Sequence, residues 1–146
     1  MDQILDTPEV ENRITPYAGF WIRVAAYLVD GVLLWIVNVA ISFLYRGTYS
    51  VYDSEIILDV ISIALGILYF TLMESSERQA TLGKMILNLK VGDQYGNRLS
   101  FANALGRYFA KIVSAIILGV GFMMVGWDDR KQGLHDKIAD TYVYEK

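Results

Sequence analysis

The run from residue 24 to residue 45, VAAYLVDGVLLWIVNVAISFLY, holds 22 residues and one charged side chain, Asp30. An apolar helix of roughly 20 residues crosses the hydrocarbon core of a bilayer, so this segment predicts a membrane span. A carboxylate near the centre of such a helix costs roughly 2.5–3.5 kcal/mol on insertion scales. Chains keep such a group where it is paired, hydrated or used. Arg23 precedes Asp30 by seven residues, two helical turns and roughly 10.5 Å along the axis, on nearly the same face. These two charges are the first functional candidates.

Two further apolar blocks follow. Residues 56–73 hold 18 residues with one charge, Asp59, and residues 112–127 hold 16 with none. The chain has 146 residues, one domain's worth, and is 54% hydrophobic with a mean hydropathy of +0.34. An integral membrane protein is the expectation. The first block is too long for a cleavable signal peptide and follows a polar stretch containing Asp2, Asp6, Glu9 and Glu11 instead of a short basic one. It reads as a permanent span. The absence of cysteine removes disulfide and thiol chemistry. The net charge of −3 argues against nucleic acid as a partner.

Lysine and arginine set the expected orientation. Arg13 and Arg23 precede the first span, and Arg46 alone follows it. Arg78, Lys84, Lys90, Arg98, Arg107 and Lys111 lie between the second and third blocks, and Arg130, Lys131, Lys137 and Lys146 lie in the tail. The N-terminus and middle loop are therefore expected in the cytoplasm, and the loop after Arg46 outside. The third block is short for a crossing, roughly 24 Å of helix against a 30 Å core. It carries Gly119 and Gly121 at its centre, where a helix can break. A helical hairpin that enters and returns keeps the basic tail inside; the alternative is a third full span.

The expected fold is all-α and membrane-integral. It has two full transmembrane helices, a third apolar helical hairpin and a small cytoplasmic β-hairpin or strand element. As one domain it divides into a cytoplasmic tail (1–16), a first span (18–45), a second span (54–73) and a cytoplasmic loop (74–100). The hairpin or third span (101–127) and a C-terminal tail (128–146) complete it. Residues 86–91 (ILNLKV) read as a strand, Asp93 to Gly96 as a turn leading into 97–99, and residues 141–144 (TYVY) as a second strand-like stretch. Pairing between loop and tail would hold both on one side of the membrane. Ser100 is the expected N-cap of a helix over 101–114.

Four stretches taken together resemble the RDD family of small bacterial membrane proteins. They are YAGFWIRVAAYLVDG (17–31), QATLGKMILNLKVG (79–92), YGNRLSFANALGRYFAKI (95–112) and LGVGFMMVGWDDRKQGLHDKIADTYVY (118–144). The resemblance spans nearly the whole chain. The family is named for an arginine and two aspartates, which by motif fall on Arg23, Asp30 and Asp136. Asp140 stands where the family usually shows a glycine before the threonine of its last motif. The resemblance implies a bacterial cytoplasmic membrane location, and transport as a role proposed for the family.

Each candidate carries two readings. Asp30 is a proton or monovalent-cation site in the membrane, or else a structural carboxylate, in an ion pair or bonded to a neighbouring helix, with Arg23, Lys111 or Arg107 as possible partners. A full third span puts Arg107 at its depth; the hairpin favours Lys111. Arg23 and Asp136 form a gate over Asp30, or a tether docking the tail on the first span by a charge-assisted hydrogen bond. His135, the lone histidine, is a proton relay or a structural or solvated loop residue. Asp53, Glu55 and Asp59 attract cations at the outer end of the second span, or form a solvated rim.

No cofactor or metal site is expected, since the chain lacks Cys and HExxH. TLGK (81–84) fails as a phosphate loop because Arg78 and Met85 stand where a glycine and a serine or threonine are needed. No hydrolytic signature is present, so the chain reads as non-enzymatic. Ser62 with Gly66 and Ala115 with Gly119 have the four-residue spacing of closely packed membrane helices. Two function classes remain. In one, the protein moves a cation, a proton or a solute coupled to one, as a homo-oligomer with Asp30 as loading site. In the other, it is a membrane accessory or scaffold protein in which the charges are structural.

Overall fold

The computed structural model describes residues 16–47, 55–117 and 119–146. Two long helices, α1 (Phe20–Arg46) and α2 (Ile56–Glu74), account for the first two apolar blocks. Both are long and apolar enough to cross a membrane. Their burial pattern is inverted relative to a soluble helix. The buried positions of α1 are Arg23, Ala26 and Asp30, whereas Leu28, Val32, Ile36 and Leu44 are exposed. Spacings of three and four put those buried residues on one stripe. Polar groups inward and apolar groups outward is the pattern of a helix whose solvent is lipid. Asn38 and Ser62 hydrogen-bond to each other across α1 and α2.

Beyond α2 the chain makes a short helix α3 (Leu82–Ile86), a strand β1 (Leu89–Gly92) and the amphipathic helix α4 (Phe101–Ile116). A short helix α5 (Val120–Met123) runs into a 3-10 turn (Met124–Gly126), and α6 (Leu134–Ile138) and β2 (Tyr142–Glu145) complete the order. Residues 101–116 and 120–126 meet at a bend of 113°. Gly119, at φ 73, makes the break expected near the centre of the third block. Gly121 lies against Ser114, where a Cβ would come within 2.8 Å of the serine side chain. Ser100 caps α4 as expected, accepting from the Asn103 N–H.

β1 and β2 pair antiparallel, with Val91 opposite Val143. Loop and tail thus pair as foreseen, but two details differ. Residues 82–86 are helical, so the strand begins only at Leu89; Asn88, at φ 54, turns the chain between the two elements. Asparagine tolerates that left-handed conformation better than most residues. Residues 97–99 form no strand, because the partner of β1 comes from the tail. The start of the described chain joins the same sheet: the Ala18 N–H donates to the Val143 carbonyl at 2.9 Å and the Glu145 N–H to that of Pro16 at 2.9 Å. Ala18, Ala26, Leu89, Val91, Leu99 and Val143 form a small apolar core there. The start of α1, the 75–100 segment and the tail therefore gather into one cap at one end of the long helices. Asp140 sits at φ 49, a left-handed position that suits the glycine it replaces in the motif.

Candidate functional site

Asp30 is fully buried and lies beneath α3. Its Oδ2 accepts from the Thr81 hydroxyl at 2.6 Å, and its Oδ1 accepts from the Gly83 N–H at 2.7 Å and the Tyr69 hydroxyl at 2.7 Å. Thr81 caps α3 and also accepts from the Lys84 N–H at 3.4 Å, while the Tyr69 oxygen accepts from the Leu82 N–H at 3.0 Å. Both carboxylate oxygens are thus taken by neutral donors, an arrangement complementary to an acceptor-only group. Gly83 has to be a glycine here: a Cβ would stand 2.2 Å from the Ala26 carbonyl oxygen and 2.9 Å from the Asp30 carboxylate. The TLGK stretch, rejected above as a phosphate loop, is the cradle for this internal anion.

The expected cation partners of Asp30 are elsewhere. Among the described residues, Asp30 makes no ion pair. Arg23 turns towards the cap, and its Nη1 meets Asp136 Oδ2 at 2.5 Å. Its Nε donates to the Ala18 carbonyl at 3.0 Å and its Nη2 to that of Lys131 at 2.5 Å. Sharing a helix face was not enough to join Arg23 and Asp30, because two turns separate them and α3 covers the carboxylate. Arg23 and Asp136 do meet, in the geometry expected of a tether between tail and first span.

Arg107 and Lys111 meet a carboxylate that sequence reasoning did not single out, Glu74. Its Oε1 lies 2.6 Å from Lys84 Nζ and 3.1 Å from Lys111 Nζ, and its Oε2 lies 3.1 Å from Arg107 Nε. Arg107 also reaches Asp136 Oδ1 at 2.5 Å and donates to the Thr141 hydroxyl at 2.5 Å. One continuous chain of opposite charges results: Lys84 and Lys111, Glu74, Arg107, Asp136, Arg23. Four cations in it face two carboxylates. Counting nearby Asp30 still leaves one positive charge in excess. All are nearly or fully buried except Lys111, whose side chain is 11% exposed and lies 4.7 Å from the Phe70 ring centre and 5.3 Å from that of Tyr27.

His135 belongs to a helix and is buried, which corrects the expectation of a loop residue. Its Nε2 lies 3.4 Å from Asp136 Oδ1, without hydrogen-bond geometry, and neither ring nitrogen has a hydrogen-bond partner among the described residues. Burial pulls its pKa down, the Asp136 charge only partly opposes this, and nearby Arg107, Lys111 and Arg23 lower it further, to about 3. Asp136 moves the same way for a different reason. Burial by itself would raise the Asp136 carboxyl, but Arg107, His135, Arg23 and the Gly133 N–H outweigh it and hold it well below the usual carboxylate range. Asp59 takes no part: it is exposed in the first turn of α2, while Glu55 pairs with Arg46 at 3.3 Å. Asp53 lies outside the described residues.

Beside the charge chain, a cavity of about 450 Å³ opens between α1, α2, α4 and α5. Val24, Leu28, Phe70 and Phe122 are among its apolar walls, and Arg23, Lys111 and His135 line it too. Glu74 was legible only as the end of an apolar run, and Thr81, Gly83 and Lys84 as a failed phosphate loop within a stretch of the family resemblance, with no tie to Asp30. The signal that finds them is the need of a buried aspartate for donors.

The sequence model of the RDD family matches residues 17–140. Uncharacterized protein YxaI of Bacillus subtilis (strain 168) is 36% identical, over 88% of this chain and 97% of its own length. Uncharacterized membrane protein YteJ of the same strain is 34% identical over 94% of this chain and 87% of its own. A third relative there, Uncharacterized protein YckC, is 30% identical over 86% and 83%. No solved structure matches.

Proposed function

The chain belongs to the RDD family, and from that premise we propose that it is a non-catalytic accessory or scaffold protein of the bacterial cytoplasmic membrane. Its buried charges fasten a pair of spans to a cytoplasmic cap. One observation carries this reading. Asp30 is clamped by Thr81, Gly83 and Tyr69, so both of its oxygens are committed to holding α3 on α1. A loading site must release its ligand and rehydrate. A carboxylate under a helix with no room for a Cβ is suited to staying bonded.

The charge chain supports the same role. It joins α1, α2, α3, α4 and α6, so each ion pair links elements that apolar packing in lipid would not hold together. Such pairs are compensated inside the protein and costly to break singly. The β1–β2 pairing supports the returning hairpin over a third crossing, since a tail on the far side of the membrane could not reach β1. A reporter fused after Lys146 is expected to be active in the cytoplasm.

Transport is the second reading, favoured by the cavity beside Lys111 and His135. It would need a homo-oligomer to enclose a path, and its substrate site would be that cavity in place of Asp30. The test is Asp30→Asn. The accessory reading expects lower thermal stability and abundance, with any cellular phenotype restored when the variant is expressed to wild-type level. A phenotype that persists at wild-type level contradicts it.

A further inference from the structure

We propose that the cavity between α1, α2, α4 and α5 binds an anionic phospholipid, one acyl chain within the apolar walls and the phosphate against Lys111 and His135. The volume, about 450 Å³, lies within the roughly 300–1,000 Å³ of ligand cavities. Val24, Leu28, Phe70 and Phe122 offer a hydrocarbon chain a surface that a soluble anion could not use. Leu28, 67% exposed, brings the cavity wall out to the face of α1 that meets lipid.

Charge selects the sign of the head group. The buried chain has four cations against two carboxylates, and its least buried member, Lys111, lines the cavity. Its ammonium donates to Glu74 Oε1 at 3.1 Å, which leaves further ammonium protons to offer. His135 is 1% exposed, lines the cavity and has two ring nitrogens without a hydrogen-bond partner among the described residues. Buried polar groups normally find partners. A phosphate diester between Lys111 and His135 would accept from the Lys111 ammonium and from the one N–H of the neutral imidazole.

Depth selects a membrane lipid. Trp21 and Trp127, 79% and 66% exposed, line an adjoining groove at the start of α1 together with Lys131. Tryptophan at the end of a span is enriched at the level where hydrocarbon gives way to head groups. The cation-rich end of the cavity therefore lies at phosphate depth, and basic pockets between spans on the cytoplasmic side suit anionic head groups.

Native mass spectrometry of the full chain, released from equimolar phosphatidylglycerol and phosphatidylcholine, tests the assignment. The wild type is expected to retain phosphatidylglycerol about tenfold over phosphatidylcholine, equal to about 1.4 kcal/mol. Val24→Phe, which pushes a ring into the cavity and leaves every charge in place, is expected to cut phosphatidylglycerol retention about fivefold and the preference with it, and Lys111→Gln to bring the ratio below about twofold. Lys111→Arg should restore the preference, and Lys137→Gln, exposed on α6, should leave it unchanged. Equal retention of the two lipids by the wild type overturns the proposal. So does a preference that survives Val24→Phe, which would mark surface electrostatics, or displacement by oleate at equal concentration, which would mark a free fatty acid site. If Lys111→Gln fails to fold, Val24→Phe decides alone.

Discussion

Gly83 donates its backbone N–H to Asp30 at 2.7 Å in a place where a Cβ would stand 2.2 Å from the Ala26 carbonyl oxygen. The bond and the close approach are one feature. Only a residue without a side chain lets α3 settle deeply enough on α1 for its amide to reach the carboxylate, with Thr81 and Tyr69 completing the clamp.

Gly83→Ala should therefore push α3 off α1. The expected loss is about 3 kcal/mol, the upper part of the range for overpacked sites, read as a lowered unfolding midpoint in detergent. Gly66→Ala is the control. A Cβ there meets only the Tyr108 hydroxyl at 3.5 Å, an ordinary contact, and alanine favours a helix by about 1 kcal/mol. It should leave the midpoint unchanged or raised.

Glu74→Gln takes the carboxylate from among Lys84, Lys111 and Arg107, of which Arg107 alone keeps a partner, in Asp136. Breaking a buried pair from one side costs about 3–5 kcal/mol, and a loss of that size is expected on denaturant titration. Lys137→Gln removes the partner of Asp128, a pair whose lysine is 42% exposed. Surface pairs contribute about 0–1 kcal/mol, so that variant should unfold almost as the wild type does.

The histidine sets a pH dependence. Unfolded, His135 takes up a proton near its ordinary value of 6.5, but folded it does so only near 3, chiefly because it is buried. Between those values the unfolded chain holds more protons, so stability rises with pH across the window and falls as pH drops below about 6.5. Asp136, held low by Arg107, His135 and Arg23 against the effect of burial, contributes stability that is complete above its ordinary 3.8 and is lost on further acidification. His135→Asn should flatten the unfolding midpoint between pH 6.5 and pH 4 while leaving the fall below pH 4.

The sequence showed the two apolar runs, the break near Gly119, the cap at Ser100 and the strand-like stretches of loop and tail, because each rests on local pattern. That the two stretches pair agrees with the basic residues that put loop and tail on one side. It also brought Arg23 forward by its place at the head of the first apolar run, and Asp136 through motif resemblance. It offered Arg23, Lys111 and Arg107 as possible partners of Asp30, where Tyr69, Thr81 and Gly83 stand instead. Which acid meets which base depends on how α3 and α4 lie across α1, and the donors to Asp30 come from residues 39 to 53 positions away. Glu74 escaped notice for a simpler reason. As the last residue of α2 it looked like the first residue of a polar loop, where a glutamate calls for no explanation. Residues 86–91 alternate like a strand, but the first of them closes α3; a helix that short leaves too little periodicity to be told from a strand.

Flux through reconstituted liposomes tests the central claim, that Asp30 is an anchor and not a loading site. Wild-type protein and Asp30→Asn, each incorporated at equal folded amount, are assayed for proton, sodium and potassium movement under an imposed gradient. The account predicts that neither exceeds protein-free liposomes, while Asp30→Asn unfolds at lower temperature. Wild-type flux that disappears in a folded, equally abundant Asp30→Asn would contradict it.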